Sequence, residues 1–263
     1  MSAYAAVIGA RFRVLLQYRA AAFAGFVTQI FWGWIRLMVF QAFYQSSAAP
    51  QPMSLPQVAD YIWLGQAMLA MFPWNVDGEI RDMVRTGRVA YEMLRPADVY
   101  WVWFCRAVAQ RTAPTLLRAV PLLALALVFF GMRTPPGVAE ALWFAACLAG
   151  ALLISSAVST ILNITLLWTV AGDGIARLAP SLILITSGMI VPVPFFPVPI
   201  RRVIEALPFR GVNDLPFRVY SGHIPATQAW QVLTQQLAWT MVLVLFGRWL
   251  MARGLKRMVV QGG

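Results

Sequence analysis

Between Ala141 and Asp173 the chain carries no charged side chain at all. No other feature of the sequence constrains the fold as tightly. At 1.5 Å per residue a helix over this run is longer than the roughly 30 Å hydrocarbon core of a bilayer, so it must tilt or project beyond the lipid. Other apolar runs repeat the pattern. Hydrophobic residues make up 60% of the 263 positions and charged residues 12%, against about a quarter charged in soluble domains. The expected fold class is therefore all-α and integral to a membrane, forming a single domain over residues 1–263.

Six spans are expected. The first runs from about Ala20 to Tyr44 with Arg36 inside it, and the second from about Val58 to Trp74, interrupted by Pro73. The third covers about Thr112 to Gly131 and holds Arg118 near its charged end. The fourth is the run from Ala141. The fifth starts near Leu178 and meets SGMIVPVPFFPVP, whose prolines forbid a continuous helix. The sixth covers about Ala229 to Phe246. Residues 3–18 place Tyr4, Val7, Ile8, Phe12, Leu15 and Leu16 among arginines, the pattern of an amphipathic helix at the membrane surface; this N-terminal element occupies 1–19. Residues 77–111 are dense in charge and are expected outside the lipid. Residues 196–227 mix charge with Ile, Leu and Phe and are expected as short re-entrant or outer-surface helices.

The net charge is +11, and all the basic residues but Lys256 are arginine. They lie mainly in the gaps between apolar runs, where anionic headgroups and the positive-inside rule account for them without a nucleic-acid partner. With the N-terminus inside, fourteen bases fall on the cytoplasmic side and five on the other, while Arg36 and Arg118 lie within spans. Both termini are therefore expected in the cytoplasm. No cleavage site of a secretory signal follows the first apolar stretch.

Chemical motifs are scarce. No GxxxxGK[ST] phosphate loop occurs, so the chain has no such route to ATP hydrolysis. Cys105 and Cys147 stand alone, and one histidine, His223, completes neither a metal set nor a catalytic triad. Gly172, Asp173 and Gly174 fit a turn. The spans are expected to lack buried acids, which counts against ion-coupled transport. Arg36 either lines a polar path or extends its head group to the interface. The stretch RTGRVAYEMLRPADVYWVWF from Arg85 has the form of a surface helix, a glycine, and an apolar helix stopped by Pro96. It suits a docking element, and equally an amphipathic loop held by headgroups.

YIWLGQA at 61–67, RTGRVAYEMLRP at 85–96, SGMIVPVPFFP at 187–197 with LPF at 207–209, and the terminal VQGG at 260–263 together resemble the type-2 ATP-binding-cassette exporter permeases, in the bacterial branch formerly grouped as a domain of unknown function. The resemblance implies six spans, a cytoplasmic coupling element between the second and third, and re-entrant helices after the fifth. Gly87, Arg88, Tyr91, Glu92, Leu94, Arg95 and Pro96 fall on that coupling element. It also implies a bacterial inner-membrane location and a paired permease, identical or homologous. Separate P-loop ATPase subunits would bind ATP and magnesium, leaving this chain without a cofactor and without catalysis. Alternating access would then move a small amphipathic or hydrophobic substrate outward, along a path to which Arg36, Trp63 and Gln66 are assigned. The aromatic residues Phe23, Phe26, Phe31, Trp32, Trp34 and Trp63 suit such a substrate, or simply anchor the helices. A membrane scaffold without transport and a secondary carrier are the competing expectations.

Overall fold

The apolar runs and their proline and glycine breaks become eleven α-helices in the computed structural model, which describes residues 3–17, 19–47, 49–168 and 173–257. They are α1 (Ala3–Leu15), α2 (Arg19–Ser46), α3 (Leu55–Ala67), α4 (Gly78–Arg85), α5 (Val89–Met93), α6 (Val99–Phe129), α7 (Val138–Thr165), α8 (Asp173–Thr186), α9 (Val198–Glu205), α10 (Asp214–Tyr220) and α11 (Ala226–Arg257). Short 3₁₀ turns occupy Leu69–Met71, Val193–Phe195 and Pro208–Gly211. No strand occurs among the described residues.

Among the described residues four helices are long and apolar enough to cross a membrane: α2 over Phe23–Ser46, α6, α7, and α11 over Ala226–Lys256. The helices of the second and fifth expected spans are shorter. α3 has 13 residues and α8 has 14, each about 20 Å long at the α-helical rise. The break after α3 has a local cause, since the chain narrows into the 3₁₀ turn at Leu69–Met71 and Pro73 follows. At its start, Ser54 and Gln57 close a reciprocal capping box, with the Ser54 N–H donating to Gln57 Oε1 at 2.9 Å.

Several boundaries differ from the sequence expectation: α8 begins at Asp173 and not near Leu178, α11 runs on to Arg257 past Phe246, and α6 and α7 differ as follows. α6 begins at Val99, not near Thr112, because Asp98 caps it by accepting the Trp101 N–H at 3.3 Å and because its arginines find partners within the protein. Arg106 meets Asp77 and Glu79, and Arg111 donates to Ser159 Oγ at 2.9 Å. α7 ends at Thr165, short of Asp173, and passes into a turn at residues 166–168.

α7 is the central helix, packed against α6, α10 and, most extensively, α11. Its second half carries Ser155, Ser156, Ser159, Thr160 and Asn163, all buried. Small side chains let neighbouring backbones approach closely in a membrane bundle. Three of the hydroxyls are satisfied: Ser159 donates to the Ser155 carbonyl at 2.8 Å, Thr160 to that of Ser156 at 2.7 Å, and Ser155 reaches across to the Met71 carbonyl, whereas Ser156 Oγ has no partner among the described residues.

Contacts sort the loops into two ends. At one, Arg133 meets Asp60, Tyr220 donates to the Arg133 carbonyl, and Phe195 packs on Phe40 and Phe43. At the other, Arg11, Asp77, Arg106 and Asn163 converge, and Arg248 meets Asp98. α1 runs beside the first turns of α6: Tyr4 Oη accepts the Asp98 N–H, and Arg11 shares both acid partners of Arg106.

Candidate functional site

The second end is organised by Asp77. As the N-cap of α4 its carboxylate accepts the Glu79 N–H at 2.9 Å, while its own N–H donates to Asn163 Oδ1 of α7 at 2.8 Å. The same carboxylate accepts from Arg106 Nε of α6 at 3.2 Å and from Arg11 Nη2 of α1 at 3.4 Å. Glu79 repeats the pairing, accepting from Arg106 Nη2 at 2.6 Å and from Arg11 Nη1. Burial alone would raise the Glu79 carboxyl, but the Arg11 hydrogen bond and the charges of Arg106 and Arg11 outweigh it and hold the group below its ordinary range. Helices α1, α6 and α7 are thus pinned to the start of α4 through Asp77 and Glu79.

From this anchor α4 and α5 project as a bent pair. Gly87 forms the bend with φ +71°, a left-handed conformation that glycine adopts without steric cost. Arg88 Nε donates to Thr86 Oγ1 at 2.9 Å across the bend. Val89 is buried beneath α5, while Tyr91 and Leu94 stand 69% and 81% exposed. Arg88, Arg95 and Pro96 are exposed as well. Glu92 turns the other way: it is buried, accepts the Trp103 Nε1 proton at 3.1 Å, and lies 3.6 Å from Arg95. Of the seven residues assigned to this element from sequence, six therefore lie on its surface and Glu92 fastens it to α6.

The residues assigned to a path lie elsewhere. Trp63 and Gln66 of α3 are buried and converge on Gly33 of α2, where a Cβ would stand 2.6 Å from Trp63 Cζ3 and 3.1 Å from Gln66 Cγ. The Trp63 ring also packs on Phe130 with centroids 4.6 Å apart. Arg36, one turn further along α2, donates to the main-chain carbonyls of Met189 and Ile190 at 2.6 and 2.5 Å, at the break after α8. Among the aromatic residues named with them, Phe23, Phe31, Trp32 and Trp34 are exposed and Phe26 is half-buried, whereas Trp63 is enclosed.

The expectation that the spans lack buried acids is corrected by Asp60, 1% exposed, and a second acid, Asp214 of the segment 196–227, is 0% exposed. Asp60, inside the expected second span, accepts from the Arg133 N–H at 2.8 Å and from Arg133 Nη2 at 2.7 Å. Asp214 accepts from Tyr61 Oη, the Val193 N–H and Arg218 Nη1 at 3.2, 3.0 and 3.2 Å. Tyr61 donates as well to the Gly188 carbonyl at 2.9 Å. This network fastens α3, α10 and the proline-rich turn to one another. Its signal in the sequence is an acid set directly against an apolar aromatic run, in ADYIW and again in NDLPF.

Gly172 and residues 260–263 lie outside the described residues, as do the side chains of Asp173 and Arg257. Cys105 and Cys147 are free and buried. Among the described residues no group of three or more His, Cys, Asp or Glu side chains could hold a metal ion.

Neither the curated proteins nor the solved structures yield a match to this chain. A family model does: the one described as ABC-2 family transporter protein matches residues 26–262. The match takes in the whole of α3 to α11 and most of α2, and with four apolar helices of spanning length it establishes that the chain is a membrane protein of the ABC-2 transporter family.

Proposed function

We propose that this chain is the permease subunit of an ATP-driven exporter, in which a separate P-loop ATPase drives alternating access. The observation that supports it most is the form of the element at residues 77–98. A short bent pair of helices presents Tyr91 and Leu94 outward, while its base is tied through Asp77 and Glu79 to α1, α6 and α7. A push on the exposed ridge is thereby delivered to two helices of spanning length. ATP and magnesium would be bound by the partner, and no nucleic acid takes part.

The arrangement we propose has six spans in a bacterial inner membrane, with α3 and α8 as the cores of the two short ones and both termini cytoplasmic. α9 and α10 then form the outer segment within 196–227, and α1 belongs to the cytoplasmic end, as the surface element within 1–19. A second permease, identical or homologous, completes the path. Arg36 at the α8 break and the Trp63–Gln66 pair beside Gly33 are the residues of this subunit we assign to that path, and a small amphipathic or hydrophobic molecule is the cargo.

An ion-coupled carrier is disfavoured by the same network that revealed buried acids. Asp60 and Asp214 are each claimed by an arginine, Arg133 and Arg218, so neither is a free proton or cation relay. Vesicles holding the permease with its co-purified ATPase should move substrate only with ATP and magnesium. Flux that persists without ATP and follows an imposed ion gradient would replace the exporter with a carrier, and the absence of flux under both conditions with every panel of amphipathic dyes would favour a scaffold.

A further inference from the structure

Charge on the element at residues 77–98 is sorted by side. Of its five acids, four are taken up within the subunit: Asp77 and Glu79 by Arg11 and Arg106, Glu92 by Trp103 and Arg95, and Asp98 by Arg248 at 3.3 Å. Asp82 is exposed, and so are Glu79 and Asp98, but those two are engaged by their arginines. Arg85, Arg88 and Arg95 are all exposed, around a ridge formed by Tyr91 and Leu94. The surface presented outward is therefore apolar at its crest and cationic at its margins, although the segment as a whole holds more acids than bases.

We infer that the ATPase receives this ridge in an apolar socket whose rim carries carboxylates opposite Arg85 and Arg88. The inference rests on the permease reading above and adds the chemistry of the partner surface. Charge complementarity of this kind steers association and fixes register. Anionic headgroups would offer the same negative charge, but the position of the ridge favours a protein. Residues 99–115 of α6 are buried or half-buried throughout, and exposed large apolar side chains begin on that helix only at Leu116. Trp103, where Glu92 ties the ridge to α6, thus lies roughly 20 Å along the helix axis from Leu116. The ridge also adjoins a groove of about 330 Å³ between Met93, Asp98 and Tyr100 on one side and Arg248, Met251 and Leu255 of α11 on the other, which extends the area open to a partner.

The test takes the P-loop ATPase that co-purifies with the full-length permease from native membranes, identifies it by peptide mass, and measures its recombinant form binding to the permease in nanodiscs of zwitterionic lipid alone. Binding should weaken on the order of tenfold or more in R85E/R88E. It should fall for wild type as salt approaches ~1 M, where the screening length is about 3 Å. R88K should bind nearly as wild type, and Tyr91→Asp should lose binding without altered membrane insertion. Binding indifferent to salt and to R85E/R88E, with Tyr91→Asp still defective, overturns the acidic rim and leaves the permease reading intact. Binding that requires anionic lipid in the nanodisc assigns the arginines to headgroups and also overturns it. If no ATPase co-purifies with wild type, the permease reading itself fails.

Discussion

Trp103 donates its indole N–H to Glu92 Oε2 at 3.1 Å, joining α5 to the first turns of α6 through a buried carboxylate. Replacing Glu92 by alanine leaves that indole without an acceptor and should lower the unfolding free energy by about 1–3 kcal/mol, with Glu92→Gln losing less because an acceptor remains. Denaturant titration in detergent separates the two variants. Equal stability of Glu92→Ala and wild type would show that the pair does not fasten α5.

Gly33 should not tolerate a side chain. A Cβ there meets Trp63 Cζ3 at 2.6 Å, so Gly33→Ala must displace a ring that is wholly buried. The expected loss is about 1–3 kcal/mol, as for overpacked cores. Because both changes act on one contact, Gly33→Ala with Trp63→Leu should cost less than the two single variants added together. Strict additivity would argue that α2 and α3 do not meet at this point.

Acid should loosen α1 through Glu79. Its carboxyl is held below the ordinary 4.5 by Arg11 and Arg106 despite partial burial. The contribution is therefore complete above the unfolded value and is lost as pH falls from 4.5 through the lowered folded value. Protection against amide exchange in α1, taken relative to the intrinsic rate at each pH, should fall over that window in wild type, while Glu79→Gln should be less protected already at pH 7 and change less on acidification. A Glu79→Gln profile that matches wild type would remove this residue from the attachment of α1.

How much of this was legible in sequence follows from which forces are local. The apolar runs marked α2, α6, α7 and α11, because a stretch of that length without charge has few solutions other than a spanning helix. The bend at Gly87 and the outward ridge of Tyr91 and Leu94 follow from short-range spacing. The inward turn of Glu92 does not, since it depends on Trp103 arriving from a neighbouring helix. The start of α6 was misjudged for the same reason. Arg106 and Arg111 resemble interfacial charges until Asp77, Glu79 and Ser159 are folded against them. The buried acids Asp60 and Asp214 were hidden likewise, their partners Arg133 and Tyr61 lying 73 and 153 residues away in sequence.

Labelling of introduced cysteines should place residues 85–96 and 253–263 on the cytoplasmic side and residues 46–56 and 201–222 on the other. The charge distribution between the apolar runs and the two-ended grouping of loop contacts both motivate this. Reaction of residues 85–96 and 46–56 from the same side would overturn the six-span arrangement.

Arg36 carries no carboxylate partner among the described residues, and its guanidinium is held by two carbonyls at the end of α8. Those carbonyls lie in the turn just beyond α8, which ends at Thr186. A movement that draws α2 away from this break strands a cation and two acceptors together in the apolar half of the membrane, at about 2.5–3.5 kcal/mol for the charge alone on insertion scales. Separation of α2 from the break is therefore opposed unless water or another polar group supplies the missing partners.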